Sequence, residues 1–103
     1  MSRDTVISCG THYKWSGDIA VITFNFTPVI PSGETLSTQV SHVYDMAGTD
    51  MDSTMLVSSS VNGNYVVAKI QAGTKGASYR VVSAGTMSGG AKYYAAVLVE
   101  VVA

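Results

Sequence analysis

The sequence predicts an all-β fold, an antiparallel sandwich of about seven strands held without a disulfide. Three observations carry that expectation. β-branched and aromatic residues recur in short runs split by Gly, Ser, Asn and Pro clusters, and the 3.6-residue periodicity of a helix is almost absent. Asn62-Gly63 and Ser88-Gly89-Gly90 stand between such runs, where residues tolerant of positive φ favour tight hairpins. Between two further runs, Gly73-Thr74-Lys75-Gly76 marks a corner, because both glycines accept positive φ at little cost.

Taken in order, residues 5–9 read as a weak first strand. Residues 10–17, with His12, Tyr13, Lys14 and Trp15, show no clear period. The segment 1–17 is therefore either an N-terminal arm or a first edge strand, and 18–103 is the sandwich domain. Residues 18–26 form the second strand: Ala20, Ile22, Phe24 and Phe26 share one face, which should meet the core, while Val21, Thr23 and Asn25 share the other. Pro28 and Pro31 cannot donate ladder hydrogen bonds, so residues 27–33 must be an irregular connection. The third strand spans 35–44, with Leu36, Val40 and Val43 directed inward and a bulge suggested by the imperfect alternation. Residues 45–54 read as a flexible acidic loop. A short strand at 55–60 enters the Asn62-Gly63 hairpin, and residues 65–71 leave it with Val66, Ala68 and Ile70 alternating. The last two strands, 78–87 and 92–102, flank Gly89-Gly90, and Tyr93, Ala95, Val97, Val99 and Val101 make one stripe of the final strand.

Composition narrows the function classes. The 103 residues suit a single domain. Hydrophobic residues make up 47% of the chain and charged residues 13%, against the ~25% charged content typical of soluble domains. Such a surface is under-charged for a free monomer and suits one with neighbours. A net charge of -1 with six scattered basic residues offers no electrostatic footprint for nucleic acid or anionic lipid. No apolar run approaches the ~20 residues of a membrane-spanning helix. The opening Met1-Ser2-Arg3-Asp4 lacks the apolar stretch of a signal peptide, which predicts synthesis in the cytoplasm. The single Cys9 has no internal disulfide partner and reads as a small apolar residue.

Tyr79 follows the corner at the place where an immunoglobulin-like sandwich puts a tyrosine whose hydroxyl caps upstream backbone. Gly73, Gly76 and Tyr79 are thus the predicted structural corner. Val81 stands where antibody domains carry their second cysteine, consistent with a disulfide-free version. From Asp18 to Val102 the order of features resembles the small immunoglobulin-like fiber-tail adaptor proteins of tailed bacteriophages. The matching pieces are Asp18, Phe24-Asn25-Phe26, Gly33-Glu34-Thr35-Leu36, the Asn62-Gly63 hairpin, the stretch Ala72-Gly73-Thr74-Lys75-Gly76-Ala77-Ser78-Tyr79, and Gly89-Gly90 before the terminal strand. The sequence departs from that family at Phe26, where a tryptophan is frequent, and at Ala72, where the family often has a second glycine. The resemblance implies a non-enzymatic virion protein joining tail or neck to a fiber or spike, made in the host cytoplasm and present as a homo-oligomeric ring. Related phage sandwiches serve as capsid decoration or neck proteins, the alternative within the same class.

Candidate chemistry is sparse. Cys9 and His12 have the spacing of half a zinc site, and His42 can add a ligand, but a closed tetrahedral shell lacks its fourth member, so incidental polar residues are preferred. Asp45, Asp50 and Asp52 can offer oxygens to calcium, yet the twelfth position counted from Asp45 is Leu56 where an EF-hand needs a glutamate; a solvated acidic loop is preferred. Ser58-Ser59-Ser60 lies in no Gly-x-Ser-x-Gly elbow and the two histidines have no evident orienting acid, which argues against a hydrolase. Gly73-Thr74-Lys75-Gly76 matches the RNA-gripping Gly-x-x-Gly only in letters, because that loop joins helices. No cofactor is expected. Tyr13, Lys14 and Trp15 are the candidate interface. Their aromatics suit a protein anchor, a plug for the end of the core, or stacking on a sugar, and the last use makes a carbohydrate-binding module the rival from another class.

Overall fold

The computed structural model describes residues 6–102, with side chains from residue 10 onward. Seven strands are formed among the described residues: β1 (Val6–Lys14), β2 (Ala20–Asn25), β3 (Leu36–Asp45), β4 (Leu56–Asn62), β5 (Tyr65–Ile70), β6 (Ser78–Met87) and β7 (Lys92–Val101). They build two sheets, one of four strands in the order β1-β7-β6-β3 and one of three in the order β2-β5-β4. The chain is an all-β sandwich without a disulfide, as its composition and turns predict.

The core lies where period-2 alternation places it. Ala20, Ile22, Phe24 and Phe26 are all buried, and so are Val66, Ala68 and Ile70 on the neighbouring strand. From the facing sheet, Val81, Met87, Ala95, Val97, Val99 and Val101 complete the interior. Asn25 and Tyr65 end the β2–β5 ladder, and the Phe26 N–H then donates to the Asn64 carbonyl at 3.0 Å. Pro28 falls in a 3₁₀ turn, Thr27–Val29, which its fixed φ suits and which needs no ladder hydrogen bond from it.

Irregularities interrupt β1, β3 and, between Leu56 and Ser58, β4; the first two hid the alternation. In β1, Ser8 pairs with Ala96 but Thr11 pairs with Leu98, so three steps on β1 match two on β7, with Gly10 at φ 81. That one-residue slip reverses which parity faces the core, so residues 5–17 show no sustained period in the sequence. Within the segment 1–17, residues 6–14 therefore run parallel to β7 as an edge strand, and residues 1–5, Arg3 among them, lie outside the described residues. In β3, Leu36 pairs with Met87 and Thr38 with Thr86, two steps against one. Leu36 and Val43 are buried, but Val40, expected inside, is 56% exposed on the outer face, and Ser41 takes the inward position.

The segment 45–54 is more structured than an acidic flexible loop. Asp45 Oδ1 accepts the N–H groups of Ala47 and Thr49, and Asp50 forms a bridge back to Tyr44. A single helical turn, α1 (Asp52–Met55), follows and buries Met55 completely. The helical turn was not legible in the sequence because four residues carry no periodicity.

Candidate functional site

At the corner, the structure brings Gly73, Gly76 and Tyr79 together. The Thr74 N–H donates to the Tyr79 hydroxyl oxygen at 2.9 Å, with Tyr79 itself buried. Gly73 sits at φ 99, and a Cβ there would lie 2.8 Å from Val101 Cγ2, so both backbone conformation and space require glycine. Gly76, at φ 84, donates its N–H to the Val101 carbonyl at 2.7 Å and ties the corner to the end of β7. Ala72 adopts φ 58, a left-handed conformation in which a glycine would be relaxed. This joint ties the strand ends together.

The three residues expected to form an interface separate. Tyr13 and Trp15 are each 63% exposed, whereas Lys14 is buried at 2%. Lys14 is therefore corrected from interface residue to internal strut. Alternation along β1 turns it inward, and its Nζ donates to the carbonyls of Ala72 and Trp15, both at 2.7 Å. Burial lowers the Lys14 pKa from its ordinary value of 10.5, opposed in part by the nearby Asp18 and Tyr79. With Trp15 exposed, its use as a core plug is also set aside.

A polar seam on the opposite side of the sandwich was not anticipated. Gln39 Nε2 donates to Ser59 Oγ at 3.0 Å, and the Ser41 hydroxyl meets Gln39 Oε1 at 2.7 Å. Buried Ser83 lies 3.2 Å beyond Ser41. The seam joins β3 to β4 across the two sheets. One of the serines weighed for catalysis, Ser59, thus has a structural partner.

The groups weighed as ligands are redistributed. His12 is on β1 and His42 on β3, opposite edges of the four-stranded sheet; the strands are three spacings or about 14 Å apart, and His12 falls in the row of Asp45, not of His42. The Cys9 side chain lies outside the described residues. Asp45 is occupied in its own turn. What the fold does assemble is His42 with Asp50 and Asp52, one ligand atom from each lying within 4.8 Å of the others. His42 Nδ1 is 2.6 Å from Asp52 Oδ2, while Asp52 Oδ1 accepts the Val43 N–H at 2.6 Å. The Asp52 N–H in turn donates to Asp50 Oδ1 at 2.8 Å. The His42 ring is tilted against Tyr44, centroids 5.8 Å apart.

The outer face of the four-stranded sheet is rich in apolar groups. Cross-strand rows run Val40–Ala84–Tyr94 and His42–Val82–Ala96, and then Tyr44–Arg80–Leu98–Thr11. Only Arg80 among these carries a fixed charge. An open depression of about 370 Å³ between Thr11, Met46, Arg80, Ala96 and Leu98 indents this face. A second, of about 530 Å³, lies by the corner and includes Asp45, Met51, Thr74 and Tyr79.

No family model matches the sequence, and no curated protein does. Among solved structures, the chain is similar to part of the 2,6-sialyltransferase of Vibrionaceae Photobacterium sp. JT-ISH-224. That enzyme was crystallised with the donor product CMP and the acceptor substrate lactose. The TM-score is 0.55 at 14% identity, over all of this chain and 19% of the enzyme's. The chain thus spans about a fifth of that protein's length, and the likeness is one of fold alone.

Proposed function

We propose that this chain is a non-enzymatic assembly module that works through the outer face of its four-stranded sheet and the adjoining Tyr13 and Trp15. Following the sequence resemblance, its setting is a phage virion, where it joins tail or neck to a fiber or spike as a ring of identical copies. The observation that carries this reading is the pattern of that face: Val40, Val82, Tyr94, Ala96 and Leu98 in register around a single arginine. Cross-strand apolar pairs steady the sheet of a monomer, but a contiguous patch of them with a single charge for orientation also suits an interface. The low charge content, 13%, points the same way. A ring repeats one heterologous contact around its axis, and Tyr13, on the same face as Thr11 and Leu98, extends the apolar surface available to it.

Exposed Trp15 and Tyr13 also suit a sugar-stacking surface, and the test separates the two readings. Leu98→Lys and Trp15→Ala are compared with the unmodified chain for incorporation into particles and for binding on a glycan array. The adaptor reading expects both variants to fold and both to lose incorporation. Glycan binding abolished by Trp15→Ala, with assembly intact, would overturn it.

A further inference from the structure

The His42, Asp50 and Asp52 cluster combines donors that no single sequence grouping suggested. We propose that it is a binding site for a first-row divalent transition metal, with zinc the natural occupant, held by the His42 imidazole and one carboxylate oxygen each from Asp50 and Asp52. The donor set selects the metal class: calcium takes six to eight oxygens, whereas one imidazole with two carboxylates matches the nitrogen and oxygen preferences of zinc and its neighbours.

The side chains are arranged to leave the required atoms available. Asp52 commits Oδ1 to the Val43 N–H and presents Oδ2 to the imidazole. Asp50 commits Oδ1 to the Asp52 N–H, which leaves its Oδ2 for a ligand. His42 is fixed by β3 and by its tilt against Tyr44. A metal would replace the proton shared between His42 Nδ1 and Asp52 Oδ2, exchanging one positive charge for two beside two carboxylates. Ligand atoms bonded at ~2.1 Å around a tetrahedral ion lie ~3.4 Å apart, so the present spread of up to 4.8 Å must close while the 2.6 Å contact between His42 and Asp52 opens. The exposed Asp50 side chain can pivot about its bond to the Asp52 N–H, and the imidazole and the Asp52 carboxylate part to admit the ion. Three protein ligands leave a coordination position directed to solvent, where water or a group from a neighbouring molecule completes the shell.

The test is calorimetric titration of the purified chain with zinc chloride, repeated with calcium chloride and with cobalt chloride followed by visible absorption. Asp50→Asn is the informative variant, because an amide oxygen still accepts the Asp52 N–H and the loop keeps its fold. His42→Gln removes the imidazole. We expect one equivalent of zinc to bind, each variant to weaken it by ~10-fold or more, and cobalt to develop a ligand-field band that both variants diminish. Calcium should bind far more weakly than zinc. Absence of zinc binding, equal binding by both variants, preference for calcium, or loss of binding in Cys9→Ser alone would each overturn the assignment. Should His42→Gln fail to fold, Asp50→Asn decides.

Discussion

Two residues show how single side chains close the sandwich. Tyr79 accepts the Thr74 N–H inside a corner that Gly73 shapes. Replacing it by phenylalanine keeps the ring and removes the acceptor, so Tyr79→Phe should cost ~1 kcal/mol, measured as a lowered urea midpoint at unchanged slope; identical midpoints would show that the bond contributes nothing. Lys14 does a comparable task with a charge. Its amine is desolvated, so its folded pKa lies below the unfolded value of 10.5. In the window between the two, the unfolded chain binds more protons than the folded one, and stability from this group rises with pH toward 10.5. Lys14→Met removes the titration while other groups cancel in the comparison. The stability advantage of the unmodified chain over this variant should therefore grow as pH rises through that window. The opposite slope would mean that the protonated amine's bonds to Ala72 and Trp15 outweigh its desolvation.

At the scale of elements, β1 decides whether the N-terminal segment belongs to the domain. It forms a parallel ladder with β7, and the Val102 N–H donates to the Lys14 carbonyl at 2.9 Å at its end. A strand held in this way is protected in the isolated chain. Amide hydrogen exchange on the purified protein should be slow at the alternate N–H groups of 6–14 that donate to β7 and fast at those facing out from the edge. Uniformly fast exchange there would return the segment to the arm reading. β2 and β7 were legible because each alternates without interruption and buries one clean face. β3 was legible as a strand but not in its register, because the bulge after Leu36 moves Val40 outward and Ser41 inward.

For the whole molecule, stability rests on the contact between the two sheets. Phe24 of the three-stranded sheet and Phe26 just beyond it are fully buried, and an added Cβ at Gly85 would come within 3.2 Å of the Phe26 ring. Phe24→Ala would leave a cavity across that contact and should cost about 3–5 kcal/mol, a large share of the ~5–15 kcal/mol available to a domain. The measurement is the free energy of urea unfolding, and a loss below ~1 kcal/mol would show that the interior collapses to fill the space. The outer face of the four-stranded sheet lies outside this core. Its apolar rows pair across strands and stay partly exposed, so they can serve an interface as well as the sheet.

By itself, the sequence determined what depends on neighbours in the chain: strand content, the hairpins at Asn62-Gly63 and Gly89-Gly90, the glycine corner, and the inward stripes of β2, β5 and β7. These follow from period-2 alternation and from turn residues that tolerate positive φ, both local properties, although which stripe of β5 and β7 faces inward came only with the packing of the sheets. Only the tertiary structure decided what depends on residues distant in sequence. It turned Lys14 inward to the carbonyl of Ala72, 58 positions away, because a slip in β1 reversed the parity that alternation assigns. It also took His42 from one candidate ligand set and Asp50 and Asp52 from another and joined them. The bridge from Tyr44 to Asp50 and the helical turn at Asp52 fold the loop back onto β3. No spacing rule predicts that meeting, since backbone hydrogen bonds across the loop fix it.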